Sequence, residues 1–475
     1  MIKFGTDGWR AVIAKEFTFE NVEKVAQAYV HFLKNKIADP RGLTPIPIGF
    51  DRRFLSQDFA KAIAGVIAAQ GFSVLLSEMY CPTPCISWMT KATQAPGGIM
   101  VTASHNPYPW NGVKFKESYG GSASPQLTSQ LEEIIRQNEK AGNQPETVDF
   151  EKAVRTGRIR VFDPMKDYVR QLRSQIDLAR IQRAGWRIAY DPLYGAGAGF
   201  LQKTLDMPLH EIHQEANPSF GGLNPEPIDK NLQELMLLVK EKRFDVGLAT
   251  DGDADRIGAV DENGDFVNSH RIYALILRHL LEKGLRGDII KTVSTTRMID
   301  RIAAQHGLTI HETPIGFKYI CSKFLEVSPL IGGEESGGIG IPSHVYERDG
   351  LLCGLLLLEI MATKKKRLGE LIKDLFQEIG PFEFEREDVH LPLEGLEKTR
   401  ETAQALNPSH IGPLKVVQIN RMDGIKMYLE DGSWLLLRLS GTEPLLRVYA
   451  ESSKKELSSK LIQEGKALLF NRPAP

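Results

Sequence analysis

The sequence predicts an α/β protein with three similar mixed-sheet domains and a smaller C-terminal α+β domain around one central cleft. Three observations support this prediction. The 475 residues are too many for one compact core, the composition is that of a globular protein (42% apolar, 25% charged), and one strand–loop–helix–strand pattern occurs three times. Short strands that alternate with helical segments are typical of parallel βαβ layers.

Each copy of the pattern opens with an apolar strand, continues through a polar loop into a helix and then returns to the sheet. The opening strands are predicted at Pro47–Phe50, Trp186–Tyr190 and Asp288–Val293. The helices that follow are predicted at Phe59–Gln70, Phe200–Leu205 and Met298–His306. A later strand in each copy ends in an unusual loop, at residues 102–107, 251–256 and 333–338. Ligands bind beyond the carboxyl ends of such strands, so we expect the three loops to share one cleft.

The last hundred residues show a different pattern, with extended runs separated by hairpin signals. Asp423-Gly424 and Asp431-Gly432 are the turn signals, and a helix is predicted from Lys454 to Leu469. The runs are Leu414–Ile419, Lys426–Leu429 and Trp434–Leu437. We therefore predict an antiparallel sheet here. The predicted domains are residues 1–150, 151–262, 263–376 and 377–475, with the polar stretch 139–146 as the first linker.

Charge and hydropathy exclude several classes of protein. Lys and Arg total 59 against 60 for Asp and Glu, which argues against nucleic acid as a partner. The longest apolar stretch, Leu351–Ala362, is too short to span a membrane and is predicted to be a buried helix. No signal-peptide core is recognised at the N-terminus. Cys81 and Cys85 lack the second pair that a zinc site needs. The four cysteines are expected to be reduced thiols in the cytoplasm.

Asp251, Asp253 and Asp255 place three carboxylates within five residues, which repel one another unless a cation lies among them. Oxygen ligands without neighbouring Cys or His favour Mg²⁺ or Mn²⁺ over Zn²⁺. An EF-hand calcium loop is the alternative, with Glu262 at its twelfth position. Against it, Arg256 occupies the position that requires glycine, and a strand is predicted before the loop. We predict a divalent metal site.

Two further segments carry groups that suit phosphate chemistry. Ser104 and His105 lie in a turn just past a predicted buried strand, but the Gly-x-Ser-x-Gly signature of a hydrolase is absent. The segment from Arg438 to Thr442 combines a guanidinium with hydroxyls and a glycine, the ingredients of a phosphate clamp. Taken singly, Ser104 and His105 are more often structural residues of a turn, and the Arg438 segment is equally consistent with a solvated turn between strands.

Together these loops resemble the α-D-phosphohexomutase superfamily over essentially the whole chain. The matching segments are Gly5-Thr-Asp-Gly-Trp-Arg10, Thr102-Ala-Ser-His-Asn-Pro107, Asp251-Gly-Asp-Ala-Asp-Arg256, Gly333-Glu-Glu-Ser-Gly337 and Arg438-Leu-Ser-Gly-Thr-Glu-Pro444. The resemblance implies four domains around one cleft. It also implies that Ser104 carries a phosphoryl group and completes the coordination of Mg²⁺ held by the three aspartates.

The same resemblance assigns roles to individual residues. The implied catalytic residues are Ser104, Lys114, Arg10 and His105. The implied metal ligands are Ser104, Asp251, Asp253 and Asp255. The implied substrate-binding residues are Arg256, Gly316, Phe317, Glu334, Ser336, Arg438, Ser440, Gly441, Thr442 and Arg447. Lys114 is expected to act as general base, with its pKa lowered if cations crowd it, and His105 is the second candidate.

The resemblance favours a phosphoglucomutase that interconverts glucose 1-phosphate and glucose 6-phosphate through a bound glucose 1,6-bisphosphate. The segment Thr313–Lys318 looks like the sugar-reading loop of glucose-type members, and Gly338 stands where mannose- and glucosamine-type members commonly have His. The alternatives are a phosphomannomutase or dual-specificity enzyme, a glucose-1,6-bisphosphate synthase, a metal-dependent sugar phosphatase and a catalytically idle sugar-phosphate-binding protein. A hexose phosphate is the expected partner, bound by a monomer or a homodimer.

Overall fold

The computed structural model describes residues 2–5, 7–36, 44–392, 396–439 and 444–470. The chain divides into two compact units. The first unit contains residues 1–288 and 316–371, and the second contains residues 289–315 and 372–475.

The first α/β region of the first unit contains one sheet, whose described strands follow the order β1-β5-β4-β2-β3-β6. Its elements are β1 (Trp9–Val12), α1 (Phe19–Lys36), β2 (Ile46–Phe50), α2 (Ser56–Ala69), β3 (Val74–Ser77), α3 (Thr83–Ala92), β4 (Gly97–Val101), β5 (Trp110–Glu117), α4 (Pro125–Ala141), α5 (Phe150–Arg155) and β6 (Ile159–Phe162). Strand β2 is parallel to β3 and β4, as predicted. The loops after β2 and β4 therefore lie at the same edge of the sheet.

The sheet extends beyond the first predicted domain boundary, because β6 pairs in parallel with β3. The predicted linker at 139–146 is also partly helical, since α4 continues to Ala141 and ends in the left-handed Gly142 (φ 70°). A glycine at this position closes the helix without steric cost. The four domain boundaries stay a prediction.

The second α/β region has the described strand order β11-β10-β9-β7-β8. Its elements are α6 (Pro164–Ser174), α7 (Leu178–Ala184), β7 (Ile188–Asp191), α8 (Phe200–Leu205), β8 (His210–Glu211), short 3₁₀ helices at 220–222 and 229–231, α9 (Gln233–Lys242), β9 (Val246–Thr250), β10 (Ile257–Val260) and β11 (Phe266–Val267). Strands β9 and β10 are antiparallel, and the aspartate loop joins them. The EF-hand alternative is therefore wrong, since that site lies between two helices.

The third region contributes residues to both units. Its elements are α10 (Ser269–Glu282), β12 (Asp288–Thr292), α11 (Met298–Gln305), β13 (Ile310–Thr313), α12 (Phe317–Phe324), β14 (Pro329–Gly333), β15 (Ile339–Gly340), α13 (Gly350–Lys364) and α14 (Leu368–Ile379). Strands β12 and β13 pair in parallel in the second unit, and β14 and β15 form an antiparallel pair in the first. Helix α13 is buried over nearly its whole length, as predicted. In the described part of the chain, no helix combines the length and apolar character needed to cross a membrane.

The C-terminal region of the second unit forms the predicted antiparallel sheet, in the described order β16-β21-β20-β19-β18-β17. Its elements are β16 (Glu383–His390), α15 (Leu396–Ala405), β17 (His410–Ile411), β18 (Leu414–Asn420), β19 (Ile425–Leu429), β20 (Trp434–Leu439), β21 (Leu445–Ser452) and α16 (Lys455–Phe470). Gly424 and Gly432 both have positive φ at the two predicted hairpin turns (91° and 87°). Helix α16 covers the sheet and buries Leu461 and Ile462 in the core.

Candidate active site

Ser104 lies in the loop that follows β4 and is 1% exposed. Its backbone is left-handed (φ 52°), and its N–H donates to the Thr102 hydroxyl at 2.8 Å. The Ser104 hydroxyl donates to Asp251 Oδ2 at 2.8 Å and lies 3.4 Å from Nδ1 of His105. The serine loop and the aspartate loop, predicted as separate motifs, therefore meet in the first unit.

The three aspartates bring one ligand oxygen each within 4.8 Å of one another, and all three side chains are buried. The backbone of the loop fixes Asp251, whose Oδ1 accepts the N–H groups of Asp255 and Arg256 at 2.9 and 3.0 Å. Burial, and then the charges of Asp255 and Asp253, raise the pKa of Asp251 well above its ordinary value. A carboxylate with this environment gains stability when a cation joins the cluster.

Lys114 projects from β5 into a group of carboxylates. Its Nζ lies 2.8 Å from Asp7, 2.8 Å from Asp253 and 3.0 Å from Asp255. Burial alone would lower the pKa of Lys114, but the three carboxylates raise it well above its ordinary value. The expectation of a lowered pKa is wrong, because anions and not cations surround this ammonium.

Arg10 and His105 lie beside the serine loop. Arg10 Nη1 donates to Asn106 Oδ1 at 2.6 Å, and its guanidinium pairs with Asp7 at 3.8 Å. Burial, followed by the neighbouring cations Arg256 and Arg10, lowers the pKa of His105 well below its ordinary value. The imidazole is therefore neutral near pH 7 and keeps one ring nitrogen as a proton acceptor.

The predicted sugar-binding side chains lie next to the same cluster. Glu334 is 5% exposed, and burial raises the pKa of its carboxyl, while Ser336 follows two residues later in the same loop. Arg256 pairs with Glu226 at 3.2 Å and lies 4.0 Å from Asp251. Glu226 and Asp251 thus hold a cationic side chain at the margin of the aspartate loop.

Arg348, which no motif in the sequence marks, connects three of these loops. Its guanidinium contacts Asp7 at 2.7 Å, Asp255 at 2.8 Å and Glu334 at 3.0 Å. It also lies over the ring of Phe317, 5.2 Å from the centroid. Phe317 is buried beneath it, while Gly316 precedes α12 with a φ of 128° that favours glycine.

In the second unit, Arg438 and Arg447 are direct cross-strand partners on β20 and β21. Arg438 Nε contacts Asp423 Oδ1 at 2.9 Å, and Arg447 Nε lies 3.7 Å from Asp388. Like charges at opposed positions repel each other, so an anion bound between them would be stabilising. The predicted clamp residues Ser440, Gly441 and Thr442 lie outside the described residues.

Profiles of the four phosphoglucomutase/phosphomannomutase domains match the chain in order. The α/β/α domains I, II and III match residues 1–142, 166–264 and 268–379, and the C-terminal domain matches residues 392–464. A phosphoglucomutase/phosphomannomutase of Thermococcus kodakarensis is 30% identical over 471 residues, which cover 98% of each chain. The chain belongs to the phosphoglucomutase/phosphomannomutase (α-D-phosphohexomutase) superfamily. It is a phosphohexomutase, an intramolecular phosphotransferase of the isomerase class.

Relatives of this phosphohexomutase differ in the sugar that their names specify. A phosphoglucosamine mutase of Acetivibrio thermocellus is 30% identical over 464 residues, which cover 96% of each chain. A crystal structure from Thermus thermophilus, provisionally named a phosphomannomutase, is 34% identical, covers 98% of both chains and has a TM-score of 0.84. These similarities establish three α/β/α domains and a C-terminal domain, and they leave the sugar open.

The charge of the phosphohexomutase site fits a divalent cation. Among the described residues, ion pairs join seven carboxylates and five cations into two networks, which meet where Asp251 lies beside Asp253 and Asp255. The carboxylates are Asp7, Glu226, Asp251, Asp253, Asp255, Glu334 and Glu347, and the cations are Arg10, Lys114, Lys116, Arg256 and Arg348. When all of these groups are ionised, seven negative and five positive charges leave a deficit of two positive charges, which one divalent cation would balance. Buried Oδ1 atoms of Asp253 and Asp255 also lack hydrogen-bond partners.

Three charged residues of the site were not among the functional residues predicted from the sequence. Asp7 stands inside the Gly5–Arg10 motif, Arg53 follows β2, and Arg348 precedes the acidic cap of α13. The position of Arg53 after a parallel strand was a usable signal. The sequence offered no such signal for Arg348, because its partners Asp7 and Asp255 are distant in sequence.

Proposed function

We propose that this phosphohexomutase interconverts glucose 1-phosphate and glucose 6-phosphate by phosphoryl transfer to and from Ser104. The observation that carries the proposal is the 2.8 Å hydrogen bond from the buried Ser104 hydroxyl to one of three clustered aspartates. A serine in this position can carry a phosphoryl group directly beside a cation site. Phosphoryl transfer depends mainly on such positioning and on neutralisation of charge.

In the proposed cycle, phosphorylated Ser104 donates its phosphoryl group to a hexose phosphate, and a bound glucose 1,6-bisphosphate forms. The bisphosphate turns over and returns its other phosphoryl group to Ser104. Asp251, Asp253 and Asp255 would hold Mg²⁺, which supplies electrostatic stabilisation of the transferring group. Arg10 and Arg256 provide further cationic groups at the margin of this cluster.

The acceptor hydroxyl must lose a proton as the phosphoryl group arrives. His105 is our first candidate for the base, because its Nδ1 lies 3.4 Å from the Ser104 hydroxyl, the oxygen that gives up the phosphoryl group to the acceptor. Lys114 is the second candidate, and its three close carboxylates suit it better to positioning than to proton abstraction.

The sugar and its non-reacting phosphate need separate binding groups. Glu334 and Ser336 are proposed to contact the sugar hydroxyls, with Gly316 and Phe317 shaping the adjacent segment. Arg438 and Arg447 are proposed to hold the phosphate together with Ser440, Gly441 and Thr442, because two opposed guanidinium groups favour an anion between them. An anchored phosphate lets one site serve both C1 and C6, since the ring can turn about the anchor.

A side-by-side assay tests the choice of sugar. We expect glucose 1-phosphate to give a higher kcat/KM than mannose 1-phosphate or glucosamine 1-phosphate, each measured with and without glucose 1,6-bisphosphate. The names of the relatives make phosphomannomutase and phosphoglucosamine mutase the competing assignments. A preference for either of those sugars would refute the glucose assignment while keeping the mutase reaction.

Product analysis in the same assay distinguishes a mutase from a synthase and from a phosphatase. A glucose-1,6-bisphosphate synthase would release the bisphosphate in amounts comparable to glucose 6-phosphate, and a phosphatase would release inorganic phosphate instead. We expect neither product to accumulate to the level of glucose 6-phosphate.

Gly338 supplies a test of how Arg348 and Glu334 are arranged. A Cβ at this position would lie 2.2 Å from Cδ of Arg348 and 2.9 Å from Oε1 of Glu334. We expect Gly338→Ala to displace the guanidinium from Asp255 and to lower kcat/KM by roughly tenfold or more. In an Arg348→Ala background the colliding methylene groups are absent, so the added methyl group should cost little. An equal loss in both backgrounds would contradict this arrangement.

A further inference from the structure

The backbone of Ser104 adopts a conformation that a serine does not favour by itself. Its φ of 52° lies in the left-handed region, where the Cβ of a residue other than glycine crowds the backbone. Such a conformation persists only where the surrounding structure fixes it. Contacts with neighbouring groups therefore hold the Ser104 backbone in place.

Arg53 contacts this loop through both terminal nitrogens of its guanidinium. Nη2 donates to the carbonyl oxygens of Ser104 and Asn106, each at 2.6 Å. Nη1 donates to the carbonyl oxygens of Pro107 and Trp110, each at 2.9 Å. One side chain, 3% exposed, thus bonds four carbonyl groups of the segment from 104 to 110.

Contacts with Asp51 and Phe220 fix the orientation of Arg53 in turn. Its Nε lies 3.2 Å from Asp51 Oδ2, and its guanidinium lies over the ring of Phe220 at 4.8 Å from the centroid. Asp51 also accepts the Arg53 N–H at 3.0 Å and the Ser56 hydroxyl at 2.7 Å. Because β2 and β4 are parallel neighbours, these contacts transmit the rigidity of the sheet to the serine loop.

The Ser104 carbonyl also packs against the aspartate loop. A Cβ on Gly252 would lie only 2.4 Å from this oxygen, so the carbonyl packs directly against the glycine backbone. The oxygen therefore contacts both the guanidinium of Arg53 and the loop that carries the three aspartates. This is an arrangement that fixes the direction of the peptide group and with it the Ser104 side chain.

We infer that Arg53 is a positioning residue for phosphoryl transfer, which holds Ser104 in its left-handed conformation with the hydroxyl directed at Asp251. The inference rests on the proposed function of Ser104. Arg53 does not touch the reacting oxygen, since its contacts with the loop are to backbone carbonyls. Lysine cannot replace it, because an ammonium lacks the planar fork that reaches several carbonyls at once.

The test compares Arg53→Lys with the matched control Arg52→Met. Arg52 is the adjacent residue, but it contacts the Gln214 carbonyl at 2.8 Å and the ring of Tyr80, and no contact with the serine loop is seen among the described residues. Three experiments are made: the rate at which glucose 1,6-bisphosphate phosphorylates Ser104, steady-state kinetics that give kcat and KM for glucose 1-phosphate, and amide hydrogen exchange across residues 103–107.

For Arg53→Lys we expect the phosphorylation rate and kcat to fall together by roughly 10- to 100-fold, with KM within twofold of the wild-type value and faster exchange in the loop. Arg52→Met should match the wild type in all three measurements. Wild-type phosphorylation and exchange rates in Arg53→Lys would overturn the inference, as would a loss confined to KM.

A second variant, Asp51→Asn, tests the inference if Arg53→Lys does not fold. Asp51→Asn keeps all four carbonyl contacts and removes only the carboxylate behind Nε, so it should give a smaller loss of kcat, again without a change in KM. An unchanged kcat in Asp51→Asn would then count against the inference. Failure of the proposed function gives a different result, because the wild-type Ser104 would then never become phosphorylated.

Discussion

Ser104→Ala is expected to lose all measurable mutase activity and all phosphorylation by glucose 1,6-bisphosphate, while keeping the wild-type fold. The alanine removes only the hydroxyl that donates to Asp251, and it leaves the Arg53 contacts with the backbone carbonyl in place. Among the described residues, Ser104 supplies the hydroxyl that donates to Asp251, so we expect the alanine variant to lack the group that carries the phosphoryl group. Intact-protein mass spectrometry and a coupled assay measure the two losses.

Ser118→Ala is the matched control for this experiment. Ser118 is an exposed serine just beyond β5, and its substitution should leave both the attached phosphoryl group and the activity unchanged. Retention of a phosphoryl group in Ser104→Ala, together with residual turnover, would move the transfer to a different side chain and end the proposal.

Asp253→Asn is expected to weaken the binding of Mg²⁺ by about 100-fold or more and to abolish turnover at micromolar metal. The substitution removes one of the seven carboxylates whose excess charge requires a cation, and it leaves the buried Lys114 with two anionic partners instead of three. In the wild type, Mg²⁺ should raise the melting temperature, because the ion binds the folded state alone. In Asp253→Asn this shift should vanish.

Glu262→Gln is the control, because this residue is the twelfth-position ligand of the rejected calcium loop and instead accepts the N–H of Gly369 at 2.9 Å. Its melting temperature should respond to Mg²⁺ as that of the wild type does. Calorimetric titration of the metal-free protein gives the affinity directly. An equal Mg²⁺ affinity in wild type and Asp253→Asn would show that the ion binds elsewhere.

The sequence was sufficient for the fold because the signals that set it are local. Apolar runs bounded by polar loops placed β2, β7 and β12 within a few residues of their observed limits. Asp-Gly pairs located both hairpin turns of the C-terminal sheet, where glycine relieves the positive φ. The strand β6 was missed because only Ile159 of its four residues is buried and the strand joins the sheet at its edge.

The site was predictable where the chemistry lies within one segment, as in the aspartate loop. The site was not predictable where a side chain contacts residues that are distant in sequence. A lowered pKa was expected for Lys114 if cations crowd it, whereas its neighbours in space are the carboxylates of Asp7, Asp253 and Asp255, which come from other segments. Arg348 was overlooked for the same reason.

The shared guanidinium of Arg348 has a consequence for how the chain matures. Its partners Asp7, Asp255 and Glu334 come from three stretches of the first unit that are made at widely separated moments of synthesis. Until residue 348 has been added, the nascent chain lacks the guanidinium that these three carboxylates share, and Lys114 is the earlier cation that pairs with Asp7 and Asp255. A truncated chain that ends before residue 348 is therefore expected to contain Ser104 and the three aspartates without the side chain that connects their loops to Glu334.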